Sequence, residues 1–396
     1  MVGKSVRREK VGSVYEHCDT RCIHGNLERS TFESTRAVSF PIYQTATFGH
    51  LGFGRSSGFD YTRETNPTRE KLEQTMSALE GAADTCAFSS GMAAVSACME
   101  LFSPGQHILC SEDLYGGVIR LFDKISTKNG LSIDFVDTTS TEAIEAAVRP
   151  ETAALYIETP SNPMMNVTDL RACRTIADQH GLLLIVDNTF LSPYLQNPIE
   201  LGADLVIHSG SKFIAGHNDT ISGFVCSATE ELAERVRFVQ KTTGAALAPF
   251  DSWLVLRGIK TLGVRMERQE ANAQKIARWL AGQDHISQVF YVGLEDHPGH
   301  ETNTSQARGA GAMISFHTDT EETAQRVLER IQLITFAESL GGTESLMTYP
   351  KFQTHPDVPV EVRERLGITE TLLRLSVGLE NVDDLTTDIA RALTQS

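Results

Sequence analysis

The sequence predicts an α/β protein: a large domain built on a mostly parallel sheet, followed by a smaller α+β C-terminal domain. Three observations predict it. Strand and helix patterns alternate from Cys86 to His208, and the run Leu182-Leu183-Leu184-Ile185-Val186 is apolar throughout, as a strand covered on both faces must be. Beyond Gly282 the alternation gives way to short strands mixed with helices. At 396 residues the chain exceeds one ordinary core, which suits two domains.

Residues 1–65 read as an irregular N-terminal arm. Gly52, Gly54 and Gly58 follow no clear strand, so they mark a loop rather than a dinucleotide cradle. The large domain is placed at 66–260. Its first helix begins near Thr68, where Leu72, Met76 and Leu79 recur at helical spacing, and Gly81 ends it. Strand and helix then alternate: Cys86–Phe88 and Met92–Phe102, His107–Cys110 and Gly117–Ile125, Ile133–Val136 and Thr141–Val148, Ala154–Ile157 and Leu170–His180. The strands Leu182–Val186 and Leu205–His208 complete the series. Ser252–Trp279 reads as one long helical region with Arg257, Lys260, Arg265, Arg268 and Lys275 on its polar side. The small domain, 261–396, holds strands at Val289–Val292, Ala312–Phe316 and Leu372–Ser376, and helices at Glu321–Arg330 and Val382–Leu393.

The net charge of −16 argues against binding nucleic acid or anionic membranes and leaves a small zwitterionic substrate open. The seven cysteines are odd in number and mostly lie in apolar runs, so they read as buried free thiols in a reducing compartment. Cys18, Cys22 and His24 have no second cysteine pair at zinc spacing, and no metal is expected. Lys4, Arg7, Arg8 and Lys10 precede no apolar core of a secretory signal, and no run approaches the ~20 apolar residues of a membrane span. A cytoplasmic protein is expected.

In open α/β sheets ligands sit beyond the carboxyl ends of the strands, so chemistry is sought after each one. Ser89-Ser90-Gly91-Met92 opens a helix, whose free amides and partial positive charge suit a phosphate; an ordinary capped helix would look the same. Glu158-Thr159-Pro160-Ser161-Asn162-Pro163 is a loop stiffened by two prolines, with Asn162 placed to bond a ring substituent or simply to make a turn. Asp187 ends a buried strand, where a carboxylate needs a partner: a protonated pyridine nitrogen, a metal or the next helix. Ser209-Gly210-Ser211-Lys212 puts two hydroxyls beside a lysine that, when buried, forms an imine with an aldehyde; at the surface it would be one solvated lysine. His208 reads as packed or hydrogen-bonded within its strand. Each signal is modest, but their order along the chain supplies the anchors that pyridoxal phosphate needs.

The chain here resembles the pyridoxal-phosphate enzymes of cysteine and methionine metabolism, a family that includes cystathionine synthases and lyases. The likeness runs roughly from Thr20 to Leu393. It is carried by Tyr61-Thr-Arg63-Glu-Thr-Asn66-Pro67-Thr68-Arg69, Ser89-Ser-Gly-Met92, Asp113-Leu-Tyr115-Gly-Gly117, Val186-Asp-Asn-Thr189, Ser209-Gly-Ser-Lys212 and Arg374-Leu-Ser-Val-Gly-Leu-Glu380. The resemblance implies the type I (aspartate aminotransferase-like) fold and pyridoxal 5'-phosphate as cofactor. Lys212 would carry the cofactor, Asp187 pair with its ring nitrogen and Tyr115 stack on the ring. Gly91, Met92, Ser209 and Ser211 would hold the phosphate. Tyr61 and Arg63 would reach the phosphate of a neighbouring subunit, within a homotetramer made of two active dimers. Arg374, with Asn162 and the Ser339 backbone, would grip the substrate carboxylate, and Glu338 and Arg120 would line the distal pocket. Two departures stand out: Ser211 replaces the usual threonine before the lysine, and Gly117 stands where methionine γ-lyases carry cysteine.

The resemblance implies a γ-replacement of cystathionine γ-synthase type, joining an O-acylhomoserine to a thiol, with Lys212 and Tyr115 moving protons. The alternatives are a γ-lyase releasing ammonia and a 2-oxo acid, a β-lyase, an aminotransferase and a non-catalytic scaffold. Intact Lys212, Asp187, Tyr115 and Arg374 argue against the last.

Overall fold

The computed structural model describes residues 17–25, 37–356 and 358–394. Lys4, Arg7, Arg8 and Lys10 of the expected arm lie outside the described residues.

Seven strands form the large sheet: β1 (Asp84–Phe88), β2 (His107–Ser111), β3 (Ser132–Val136), β4 (Thr152–Glu158), β5 (Leu183–Asp187), β6 (Leu205–Ser209) and β7 (Gly223–Ser227). Their spatial order is β1-β7-β6-β5-β4-β2-β3. The run from β6 to β3 is parallel, while β7 is antiparallel to both of its neighbours. Period-two alternation splits the strand side chains between two cores. Cys86, Phe88, Ile108, Cys110, Tyr156, Ile185 and Ile207 fill one face. Ala87, Leu109, Leu155, Ile157, Leu184, Val186 and Val206 fill the other, in a cluster that continues into Met313, Ile314, Phe316, Leu373 and Leu375 of the second sheet.

That second sheet contains β8 (Ile286–Phe290), β9 (Met313–Thr318), β10 (Thr335–Phe336), β11 (Leu346–Thr348) and β12 (Leu372–Ser376), in the order β10-β11-β12-β9-β8. Because its residues share a core with the large sheet, loops from both sheets meet over the ends of β4, β5 and β6.

Several sequence expectations change. The arm expected to be irregular carries an α-helix at Cys18–His24, and the strand expected at Val289–Val292 runs Ile286–Phe290 instead. Strand β7 was not foreseen: its five residues are fully buried and bracketed by glycine and serine, so no alternation marks it. The expected helix at Gly117–Ile125 is an α-helix at Gly116–Leu121 continued by a π-helical turn at Phe122–Ser126, with Phe122 packed edge-on against Tyr156. The long helical region is two helices, Pro249–Ile259 and Leu262–Leu280. They part where the backbone and hydroxyl of Thr261 and the guanidinium of Arg265 all donate to the Gly258 carbonyl. Arg265 is therefore buried and not on a polar face; it also donates to the carbonyls of Phe213 (2.6 Å) and Ile214 (3.3 Å), just past Lys212.

All seven cysteines are free, and all but Cys18 are buried. His208 pairs with Glu80 at 2.9 Å, both fully buried. Among the described residues no helix is long and apolar enough to cross a membrane, and no group of three or more His, Cys, Asp or Glu is placed to hold a metal ion.

Candidate active site

Lys212 lies in the turn that carries β6 back into the antiparallel β7. The turn is anchored by Lys212 N–H to the Ser209 carbonyl and by Gly216 N–H to the Lys212 carbonyl, with Arg265 on the carbonyls that follow. The Lys212 ammonium donates to Ser339 Oγ at 2.9 Å. Burial, and then the charge of Arg374, lower its pKa to about 8, with Glu338 opposing. Ser339 has φ +89°, a conformation that costs a non-glycine residue on the order of 1–3 kcal/mol and tends to mark a working site.

Across β7 lies the helix Gly91–Met99. Ser90 caps it, its hydroxyl accepting from Ala93 N–H at 3.0 Å, and the amides of Gly91 and Met92 in the first turn have no carbonyl partner within the helix. Close approach is possible because Gly223 has no side chain: a Cβ there would stand 2.2 Å from the Ser90 carbonyl oxygen. Ser209 faces Gly91, where a Cβ would lie 3.1 Å from the serine hydroxyl. The Ser211 hydroxyl is engaged with the backbone of Ser222, donating to its carbonyl (3.2 Å) and accepting from its amide (2.9 Å).

Asp187 and Glu158 end neighbouring strands and are paired in register. Asp187 accepts from Thr189 N–H at 3.0 Å, and Glu158 from Tyr115 N–H at 3.0 Å. Burial raises both carboxyls, and Asp187 further raises Glu158. Among the described residues no lysine or arginine ion-pairs with Asp187. A half-buried carboxylate short of a cation, a lysine of lowered pKa and a cradle of free amides together fit a phosphorylated pyridine aldehyde.

Arg374, on β12, is 1% exposed. It donates to Asn162 Oδ1 (2.6 Å), the Ser339 carbonyl (3.1 Å) and Thr348 Oγ1 (3.2 Å), while its Nε is buried without a partner. Burial brings its pKa to about 10, against the pull of Tyr115, Glu158 and Glu338. Asp113 holds the Asn162 loop, accepting from the Ser161 hydroxyl, Met164 N–H and Asn166 Nδ2. Tyr115 precedes the helix Gly116–Leu121 and is 39% exposed; its ring lies 2.5 Å from where a Gly117 Cβ would be.

The structure thus gathers Lys212, Ser339, Arg374 and Asn162 through direct bonds, with Asp187, Tyr115, Gly91 and Ser209 around them. Glu338 and Arg120 are exposed residues of the adjoining loop and helix. Tyr61 and Arg63 are not joined to this group within the chain. They stack on each other at the surface (5.6 Å), with Arg63 bonded to the Lys241 carbonyl and Glu64. Sequence reasoning assigned no role to Glu158, Thr189 or Thr348. Glu158 carried the same signal as Asp187, a carboxylate at the end of a buried strand; Thr189 entered only as the last residue of a family motif, and Thr348 carried no signal.

The model of the family described as "Cys/Met metabolism PLP-dependent enzyme" matches residues 19–394. A cystathionine β-lyase of Lactococcus lactis subsp. cremoris is 48% identical over 94% of this chain and 98% of its own length. A cystathionine γ-synthase of Haemophilus influenzae is 48% identical over 91% of this chain and 94% of its own. The crystal structure of cystathionine γ-lyase from Lactobacillus plantarum complexed with L-serine superposes with a TM-score of 0.93 at 41% identity, covering 95% of this chain and 98% of that one.

Proposed function

Since the chain belongs to the Cys/Met metabolism PLP-dependent enzymes and takes pyridoxal phosphate as its cofactor, we propose that it joins or cleaves the side-chain thioether of a cystathionine-type amino acid, first of all by γ-replacement of an O-acylhomoserine with a thiol. The observation that carries this reading is the Arg374–Asn162–Ser339 cluster bonded directly to the amine of Lys212. It fixes an amino-acid substrate by its carboxylate and leaves the side chain to extend toward Glu338, whose charge acts on both Lys212 and Arg374.

Bound pyridoxal phosphate supplies an electron sink for charge developing at the substrate α-carbon. The protein supplies the rest. Arg374 takes the carboxylate, its orphaned Nε adding a donor. Asp187 gains the cation it is short of when it faces the ring nitrogen, and Tyr115 supplies the ring platform. Gly91, Met92 and Ser209 hold the phosphate. Ser211 joins them only by releasing the Ser222 carbonyl. Lys212 Nζ, neutral in a large fraction near pH 8, takes the α-proton and then serves the β-carbon, steered by Ser339 Oγ. Tyr61 and Arg63, exposed and mutually stacked, reach the phosphate of a neighbouring subunit, and the assembly is a homotetramer of two such dimers.

Lyase action on cystathionine is the second reading, favoured by a relative named β-lyase at the same 48% identity as the one named γ-synthase. Incubation with O-acetylhomoserine, O-succinylhomoserine, cystathionine and methionine, each with and without cysteine, separates them. A thioether formed only with thiol means synthase, and a 2-oxo acid formed without thiol means lyase. Turnover of none of the four would sink both readings.

A further inference from the structure

The small sheet sends residues 349–371 out between β11 and β12, and part of this excursion lies on the large domain. Arg365 pairs with Glu112. The Thr354 carbonyl oxygen packs where Gly116 has no side chain, 2.1 Å from the position of an added Cβ. Between these contacts sits His355, 1% exposed. Its Nε2 is 3.3 Å from the Leu114 carbonyl oxygen, and its Nδ1 is 2.7 Å from the Thr354 hydroxyl. The backbone of Asn162 also stands near enough to the ring to raise its pKa. A carbonyl accepts only, so Nε2 carries the proton and Nδ1 accepts from Thr354. Burial, and then Arg374, hold its pKa down to about 4, which keeps the ring neutral.

Leu114 immediately precedes Tyr115, and Asn162 is a ligand of Arg374. One imidazole from the excursion therefore bonds the backbone of one loop on which the active site depends and feels the backbone of the other. We propose that His355 is a positioning residue: its Nε2–H, donated to Leu114 and set against the Asn162 backbone, fixes the Tyr115 platform and the carboxylate grip in a single arrangement. The proposal rests on the roles given above to Tyr115, Asn162 and Arg374.

The test compares holoenzymes carrying His355→Gln and His355→Asn with the wild type. A glutamine amide reaches the place of Nε2 and restores the donor; an asparagine amide reaches only the place of Nδ1. Visible circular dichroism of the bound cofactor reads the ring environment without substrate, and kcat and KM are measured with the best amino-acid substrate. His355→Asn is expected to keep its cofactor and melt within a few degrees of wild type. Its visible band should fall to about half and its KM rise about tenfold, as for a misplaced binding group. His355→Gln should recover both to within about threefold. An asparagine variant matching the wild type overturns the proposal. So does a glutamine variant as impaired as the asparagine one, or an impairment that merely follows a loss of melting temperature. If the wild type turns over no amino acid, the functional reading fails, and the dichroism comparison still decides the role of His355.

Discussion

Lys212 is set apart from the other lysines by what surrounds it. A half-buried amine near the charge of Arg374 gives up its proton near pH 8 rather than at the usual 10.5. Only the neutral amine attacks an aldehyde, so capture of pyridoxal phosphate by the cofactor-free protein should accelerate as pH rises through about 8 and level off above it. Stopped-flow absorbance reads this directly, and a rate still climbing at pH 10 would refute it. Glu338 favours the protonated form, so Glu338→Gln should move the midpoint lower. Lys212→Ala should lose the adduct fixed by borohydride, with turnover down on the order of a thousandfold or more. Arg374 invites a different cut. Arg374→Lys keeps a charge but not the planar fork that meets Asn162, Ser339 and Thr348. KM should rise roughly tenfold to a hundredfold with a smaller change in kcat, the size of a lost charge-assisted hydrogen bond. These residues were legible in the sequence because each stands at the end of a strand or in a motif. Asp187, Asn162 and Lys212 could be read by their place beyond a strand. Arg374, inside a strand, was legible only through the family likeness.

At the scale of elements, two adjacent glycines separate what is structural from what is tuned. In Gly116→Ala the new methyl meets a backbone oxygen at 2.1 Å, and neither chain can yield cheaply. The protein should lose about 3 kcal/mol, read as a lower denaturation midpoint. In Gly117→Ala the methyl meets only the Tyr115 ring edge at 2.5 Å, and the ring can swing. The melting temperature should hardly move while the visible dichroism of the bound cofactor changes; the opposite pattern would contradict this division. Long periodic segments, such as Glu321–Arg330 and Val382–Leu393, were read from sequence to the residue. Elements fixed by long-range contact were not. Strand β7 has no polar face to alternate with. The break before Leu262 depends on Arg265 reaching carbonyls near Lys212, a contact no local pattern announces.

At the scale of the whole molecule, the exposed Tyr61–Arg63 pair gives the assembly a test. Mixing Arg63→Ala subunits with Lys212→Ala subunits should restore about a quarter of wild-type activity, because half the dimers would be mixed and each of those would hold one intact site. No restoration after demonstrated subunit exchange would place Arg63 within its own subunit's site. The proposal of such sharing comes from the family likeness alone, since periodicity says nothing about a neighbour. The distances along the chain inside the site have a consequence of their own. Lys212 is bonded to a residue 127 positions later, and Asn162 to one 212 positions later. A growing polypeptide therefore carries Lys212, Gly91 and Asp187 long before it carries Arg374. Domains fold as they emerge, amino-terminal first. A chain ending before β12 would carry the residues proposed for the cofactor yet lack Arg374, together with Leu373 and Leu375, which the large sheet's core shares.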